Sequence, residues 1–137
     1  MILLDTSILI PGLRKNGSGA LALLMAQIGN SDFSIPRFVE LELLQGVRDE
    51  PEWSRLTRFL SQQELVSPSE RSWAAAARTM IDLKRNGLTI RSVIDCCIAE
   101  MAMERGLTLL HFDRDYELIA RHRPLSHAYL DLSSAKP

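Results

Sequence analysis

No stretch of this chain is apolar for long enough to cross a membrane. The longest candidate, Ala20-Leu21-Ala22-Leu23-Leu24-Met25-Ala26, is far short of the ~20 residues a spanning helix needs. Cysteine is scarce: the two present, Cys96 and Cys97, are adjacent. That excludes a disulfide framework and a four-ligand zinc knuckle, and it suits a reducing compartment. The chain also lacks a surplus of charge. Sixteen basic residues against 17 acidic ones leave a net charge of −1, so there is no overall positive field for nucleic acid, and any such binding must use a local patch. No positive segment precedes the apolar start Met1-Ile2-Leu3-Leu4, and Asp5 interrupts it; a secretory signal peptide is therefore not expected, and the cytoplasm is the default location. Internal repeats, low-complexity stretches and long linkers are missing as well.

What remains is a chain of 137 residues, 46% hydrophobic and 24% charged, the size and mixture of one domain with a single core. We expect that domain over residues 1–132, with 133–137 as a frayed tail. Met1–Leu4 reads as a short buried strand running into the turn-prone Asp5-Thr6-Ser7. Gly17-Ser18-Gly19 opens an apolar helix through about Ile28, which Gly29-Asn30 closes. Phe33–Pro36 is the next strand. From Arg37, the spacing of Phe38, Leu41, Leu44 and Val47 predicts a helix that carries Glu42. Pro51–Leu60 reads as a further helix, Leu65-Val66 as a weak strand, and Glu70–Arg85 as a helix stopped by Asn86-Gly87. Ser92-Val93-Ile94-Asp95 opens a helix that ends at Gly106, and Leu107–Phe112 is a second confident strand, followed by a helix through Ile119. The order of strands and helices predicts a three-layer α/β/α sandwich around a mostly parallel sheet.

In an open parallel sheet, ligands sit beyond the carboxyl ends of the strands. Asp5 and Asp113 both fall there, and Asp115 follows two residues later. With Asp95 in the first turn of its helix and Glu42 on the inward face of its own, four or five carboxylates converge in one cleft. Such a cluster repels itself unless it is protonated or neutralised, and a hard divalent cation is the usual neutraliser. Mg²⁺ or Mn²⁺ is implied, because no His or Cys stands where a softer metal would want it.

Each acid also has a plainer reading. Ser92 and Asp95 fit a capping box, Asp5 starts a turn, and Asp113-Arg114-Asp115 caps a helix. Glu40 and Glu42, two apart on a helix, do not share a face, and Glu40 is the one assigned to solvent. What favours a site is that Asp5, Asp95 and Asp113 interrupt or abut the most apolar stretches, where an uncompensated charge is expensive. Cys96 and Cys97, among Val93, Ile94, Ile98 and Met101, read as small buried hydrophobes. His111 is balanced between touching substrate and supporting its strand; Trp53 and Trp73 read as core or interface. Thirteen of the 16 basic residues are Arg, whose planar fork suits phosphate. Arg78, Arg85 and Arg91 lie in a basic stretch that leads to Asp95. They are the candidate phosphate contacts, with Arg114, and then Arg121 and Arg123, beside the last acids.

Four segments in order resemble one family. Ile2-Leu3-Leu4-Asp5-Thr6-Ser7, Glu42-Leu43-Leu44-Gln45-Gly46-Val47, Ile90-Arg91-Ser92-Val93-Ile94-Asp95-Cys96-Cys97-Ile98-Ala99 and Leu109-Leu110-His111-Phe112-Asp113-Arg114-Asp115-Tyr116 are similar to the PIN-domain ribonucleases, and within them to the toxin component of VapBC toxin-antitoxin pairs. The resemblance spans Met1 to about Ala120. It implies a PIN-like α/β/α fold, Mg²⁺- or Mn²⁺-dependent endonucleolytic cleavage of RNA such as tRNA or rRNA, a homodimer, and restraint by a cognate VapB-type antitoxin. Asp5, Asp95 and Asp113 would be the metal ligands, with Glu42 and Asp115 completing the catalytic acids. Either Asp113 or Asp115 would be the last metal-facing acid, since His111-Phe112 replaces the Thr or Asn that many relatives carry there. Thr6 or Ser7 would hydrogen-bond a carboxylate or phosphate, while Arg78, Arg85, Arg91 and Arg114 hold the RNA backbone. Phe38, Trp53 and Phe59, read as exposed, would supply interface anchors.

Two other classes compete. One is a catalytically idle PIN-like binding module whose acids receive a partner's arginine. The other is a metal-dependent phosphatase of the haloacid-dehalogenase type, which wants a second Asp where this chain has Ser7.

Overall fold

The computed structural model describes residues 1–14 and 20–132. The helix start at Gly17-Ser18-Gly19 and the expected tail at 133–137 lie outside the described residues. Five strands, β1 (Ile2–Leu4), β2 (Phe33–Pro36), β3 (Leu65–Val66), β4 (Thr108–His111) and β5 (His127–Tyr129), form one sheet in the order β3-β2-β1-β4-β5. Every pairing is parallel. Among the described residues seven helices accompany them: α1 (Thr6–Arg14), α2 (Ala20–Ile28), α3 (Arg37–Gln45), α4 (Glu50–Ser61), α5 (Glu70–Arg85), α6 (Val93–Arg105) and α7 (Arg114–Ala120).

The central strands are apolar on both sides because helices cover both faces, which is the reason they read as continuous runs. Side chains alternate across a strand. Leu3 and Leu109, partners in the register, therefore enter the core shared with Ala76, Leu83, Ile98, Met101, Tyr116 and Ile119 of α5, α6 and α7. Leu4 and Leu110, also partners, enter the opposite core with Ile8, Leu24, Val39, Leu43 and Leu60 of α1 to α4. The result is the three-layer arrangement expected. The chain runs outward from β1 through β2 to β3 on one side and through β4 to β5 on the other, so the direction switches between β1 and β4. A crevice opens there, beyond the strands' carboxyl ends.

Three differences from the sequence reading have physical causes. Asp5-Thr6-Ser7 is a helix start, not a plain turn: the Asp5 carboxylate accepts from the Ser7 backbone N–H (3.1 Å) and its carbonyl from those of Ile8 and Leu9, so α1 begins directly at Thr6. β5 is short, and His127-Ala128-Tyr129 has no apolar run; only its pairing with Leu109 to His111 makes it a strand. The strand expected over Leu107–Phe112 is trimmed to Thr108–His111. The helix at Glu70–Arg85 has the bounds expected, and Gly106 closes α6 at φ 66, a left-handed cap that glycine adopts without penalty.

Leu109 is fully buried in the centre of the sheet. Replacing it with alanine should cost roughly 2–5 kcal/mol through lost transfer energy and an unfilled cavity. The expected result is a lower urea midpoint at an unchanged denaturant slope.

Candidate active site

Asp5 is 5% exposed at the end of β1. One carboxylate oxygen accepts from the Ser7 backbone N–H and from its hydroxyl (2.7 Å); the other accepts from the Tyr116 hydroxyl (2.8 Å). Ser7 Oγ in turn accepts from the Phe112 backbone N–H at 2.9 Å, which ties the start of α1 to the exit of β4. Asp95 stands in the first turn of α6, behind the Ser92 N-cap, whose side chain accepts from the Ile94 N–H. Its Oδ1 lies 3.3 Å from the same Tyr116 hydroxyl. Ser92 caps this turn, and Asp95 lines the crevice. Likewise Asp113 caps α7, accepting from the Asp115 N–H at 3.0 Å, and still borders the crevice.

The crevice, about 360 Å³, is lined by Asp5, Thr6, Ser7, Ile10, Pro11, Glu42, Asp95 and Asp113. Four of the five expected acids and both expected hydroxyl residues thus meet. Glu40 lies elsewhere, in an exposed pair with Arg37 (2.9 Å). Asp115 is buried and takes no part in the lining. It accepts from the Arg91 backbone N–H at 3.0 Å and faces that residue's guanidinium Nε at 3.4 Å, while the Arg91 terminal nitrogen donates to Asp113. Oxygens of Asp95, Asp113 and Asp115 nonetheless fall within 4.8 Å of one another.

Crowding shows in the acidities. Burial, then the charges of Asp5, Asp113 and Asp115, push the Asp95 carboxyl up to about 7, against a pull downward from Tyr116. Glu42 is raised by burial and by Asp5, with Thr6 pulling the other way. Thr6 Oγ1 has no hydrogen bond of good geometry, although it is buried and near enough to act on Glu42. The phenol of Tyr116 is held well above its ordinary range by burial and by the two acids.

His111 is fully buried. Its Nδ1 accepts from the Asp113 N–H (3.2 Å), so Nε2 carries the proton and donates to His127 Nδ1 at 2.9 Å. Burial and His127 hold it down at about 4, and its role is to support the loop to Asp113. Cys96 and Cys97 are buried, with the Cys96 thiol pushed up to about 12 by burial; both are packing residues. Among the expected phosphate contacts, Arg78 is paired with Asp82 (3.2 Å) on α5, Arg85 is exposed near that helix's end, and Arg114 is exposed at the start of α7. Arg91 is engaged with the acids themselves. Trp53 is 43% exposed, whereas Phe38 and Phe59 are half-buried, Phe38 edge-on to Trp73 at 6.2 Å. Sequence reasoning missed Tyr116 and His127 as partners of the site. Their only signal was adjacency to Asp115 for the first, and nothing for the second.

A PIN domain family model matches residues 2–122. Ribonuclease VapC11 of Mycobacterium tuberculosis is 31% identical over 126 residues, 88% of this chain and 92% of that protein. Ribonuclease VapC51 of the same organism is 32% identical over 84 residues, 61% of each. A chain in the crystal structure of VapBC2 from Rickettsia felis bound to a DNA fragment from their promoter superposes with a TM-score of 0.76 at 25% identity, covering 96% of this chain and all of that one. FitAcB from Neisseria gonorrhoeae shares the fold (TM-score 0.74, 19% identity, 98% and 99% covered).

The raised acidity constant of Asp95 sets a sign for stability in the absence of metal. The unfolded chain gives up this proton above about 3.8, whereas the folded chain keeps it to about 7, so stability falls as pH rises through that window. Asp95→Asn removes the fall. In EDTA, the variant should gain at least ~1 kcal/mol over the parent between pH 4 and pH 8, on a scale of roughly 1.4 kcal/mol per unit. Parallel urea midpoints across pH for the two proteins would contradict the crowding.

Proposed function

Because this chain belongs to the PIN-domain family, and within it to the VapC-type ribonucleases, we propose that the crevice beyond β1 and β4 hydrolyses RNA phosphodiesters endonucleolytically with a bound divalent cation. The observation that carries this reading is the convergence of Asp5, Glu42, Asp95 and Asp113 on one small opening, where burial and then the neighbouring acids raise the Asp95 carboxyl.

The donor set suits such an ion. It is carboxylate oxygen throughout, and the buried Thr6 hydroxyl borders it without a good hydrogen bond. His111, the near histidine, is turned away and committed to His127. Hard oxygen donors favour Mg²⁺ or Mn²⁺ over softer metals. When bound, the cation supplies a water acidic enough to attack phosphorus in line and offsets charge on the phosphate.

We assign Asp5, Asp95 and Asp113 as the ligands and Glu42 as the acid at the rim. Tyr116 and Ser7 hold the Asp5 carboxylate at the crevice through the bonds described. Asp115 acts from behind, holding the Arg91 segment in place. We assign the phosphates of the incoming strand to Arg91 and Arg114, on either side of Asp113, and further out to Arg78 and Arg85 on α5, Arg78 in competition with Asp82. No protein nucleophile is required.

The relatives' names and the VapBC complexes among the structural neighbours support a toxin role, with a VapB-type antitoxin as partner. We extend this to a homodimer with Trp53 as one anchor, and to the cytoplasm; among the described residues no helix is long and apolar enough to cross a membrane.

Two measurements test the reading. Asp5→Ala should reduce cleavage of total RNA in Mg²⁺ at least 100-fold, because a missing ligand removes charge stabilisation worth roughly 3 kcal/mol or more, while the fold is retained by circular dichroism. EDTA should abolish cleavage by the parent and added Mg²⁺ or Mn²⁺ should restore it; cleavage undiminished in EDTA would contradict the mechanism.

A further inference from the structure

Several arginines are already committed. Arg91 is tied to Asp113 and Asp115, and Arg123 to Thr79 (3.0 Å) and Asp82 (2.6 Å). Arg114 and Arg121 differ: neither guanidinium makes a hydrogen bond or ion pair with a described residue. Both line a depression of about 370 Å³ between α7 and β5, together with Glu117, Leu118 and Tyr129. We propose that this depression is a nucleotide subsite for the RNA strand, in which Tyr129 stacks on one base while Arg114 and Arg121 hold the flanking phosphates.

Three independent features support it. The first is position: Arg114 directly follows Asp113, the acid that borders the crevice, so the positive lining starts at the reaction site and continues outward. Arg121 lies seven residues on, roughly 10 Å along the helix axis. The two charges therefore bracket the depression instead of forming a single point. The second is Tyr129. It is 43% exposed, yet its ring packs against Phe112 (centroids 5.1 Å apart) and, at a near-perpendicular angle, against His111 (5.8 Å). A large aromatic ring held by its neighbours, exposed over much of its surface and flanked by cations has what a base-stacking platform needs. The third is charge: with Glu117 the one acid in the lining, the depression stays net positive next to a crevice that is net negative. That contrast draws the strand's backbone to one side of the acids.

The proposal rests on the ribonuclease reading and is tested so that the two can fail separately. An Asp5→Asn protein with Mg²⁺ binds a fluorescently labelled single-stranded RNA dodecamer of mixed sequence, followed by anisotropy across a salt series. Adding Tyr129→Ala should weaken binding roughly tenfold, the contribution of one stacked base, with the salt slope unchanged; Tyr129→Trp should bind as the parent does. Adding Arg121→Gln should weaken binding and reduce the slope by about 0.7. The thermal midpoint of the Arg121→Gln protein should stay with the parent, whereas Tyr129→Ala gives up the ring contacts with Phe112 and His111 and is expected to melt lower, so its binding is read well below its midpoint and against Tyr129→Trp. If Arg121→Gln weakens binding while Tyr129→Ala does not, the depression is merely a charged rim and the subsite is wrong. If neither matters while the protein with Asp5 intact still cuts RNA, the subsite falls and the ribonuclease reading stands. If that protein cuts no RNA, both fall.

Discussion

Everything in the crevice follows from one constraint: several carboxylates are crowded at the carboxyl ends of two adjacent parallel strands, where like charges a few ångströms apart are costly. The protein answers with donors. Asp5 receives three, from the Ser7 backbone, the Ser7 hydroxyl and the Tyr116 hydroxyl. Asp95 shares only the last of these, and a single phenolic proton does not satisfy two ionised acids at once. Burial, and then the charges of Asp5, Asp113 and Asp115, push the Asp95 carboxyl up to about 7. A cation delivered to that point relieves the repulsion that the protein's donors leave standing, which is the physical sense in which the residues are arranged for one.

The same donors make the site rigid. Ser7 gives its proton to Asp5 and accepts one from Phe112, so the two strand exits that carry Asp5 and Asp113 are locked together by a single hydroxyl. Behind them the pairing of Leu3 with Leu109 and Leu4 with Leu110 fixes the relative height of β1 and β4. His111 and His127 continue the connection to the sheet edge and carry the orientation of the Asp113 loop. Placement of the acids is thus a property of the sheet register more than of the loops.

Arg91 adds an internal counter-charge. Its bonds to Asp113 and Asp115 offset part of the negative charge that these two acids bring beside Asp95. The exposure of its side chain, 77%, means that the interaction is screened and exchangeable, so a phosphate arriving beside Asp113 competes for the same guanidinium at modest cost.

How much of this was legible beforehand depended on the range of the interaction responsible. The runs Met1–Leu4 and Leu107–Phe112, the helix Glu70–Arg85 and the stop at Gly106 were readable because burial on both faces, helical periodicity and left-handed capping are written in consecutive residues. The acids Asp5, Asp95 and Asp113 were readable as candidates because each abuts an apolar stretch. β5 was not, since His127-Ala128-Tyr129 becomes a strand only by pairing with β4. Tyr116 was not, since its hydroxyl meets Asp5, 111 residues away, only after α7 docks. Nor was the division of labour between Asp113 and Asp115, which is decided by the backbone N–H of Arg91, 24 residues earlier in the chain. The sequence by itself determined the layered parallel fold and the supply of carboxylates, because local patterning and burial suffice for both. Only the tertiary structure decided which carboxylates face the same phenol and which arginines are paired among the described residues, because hydrogen bonds and ion pairs require particular atoms from distant segments to be brought within about 3 Å of each other.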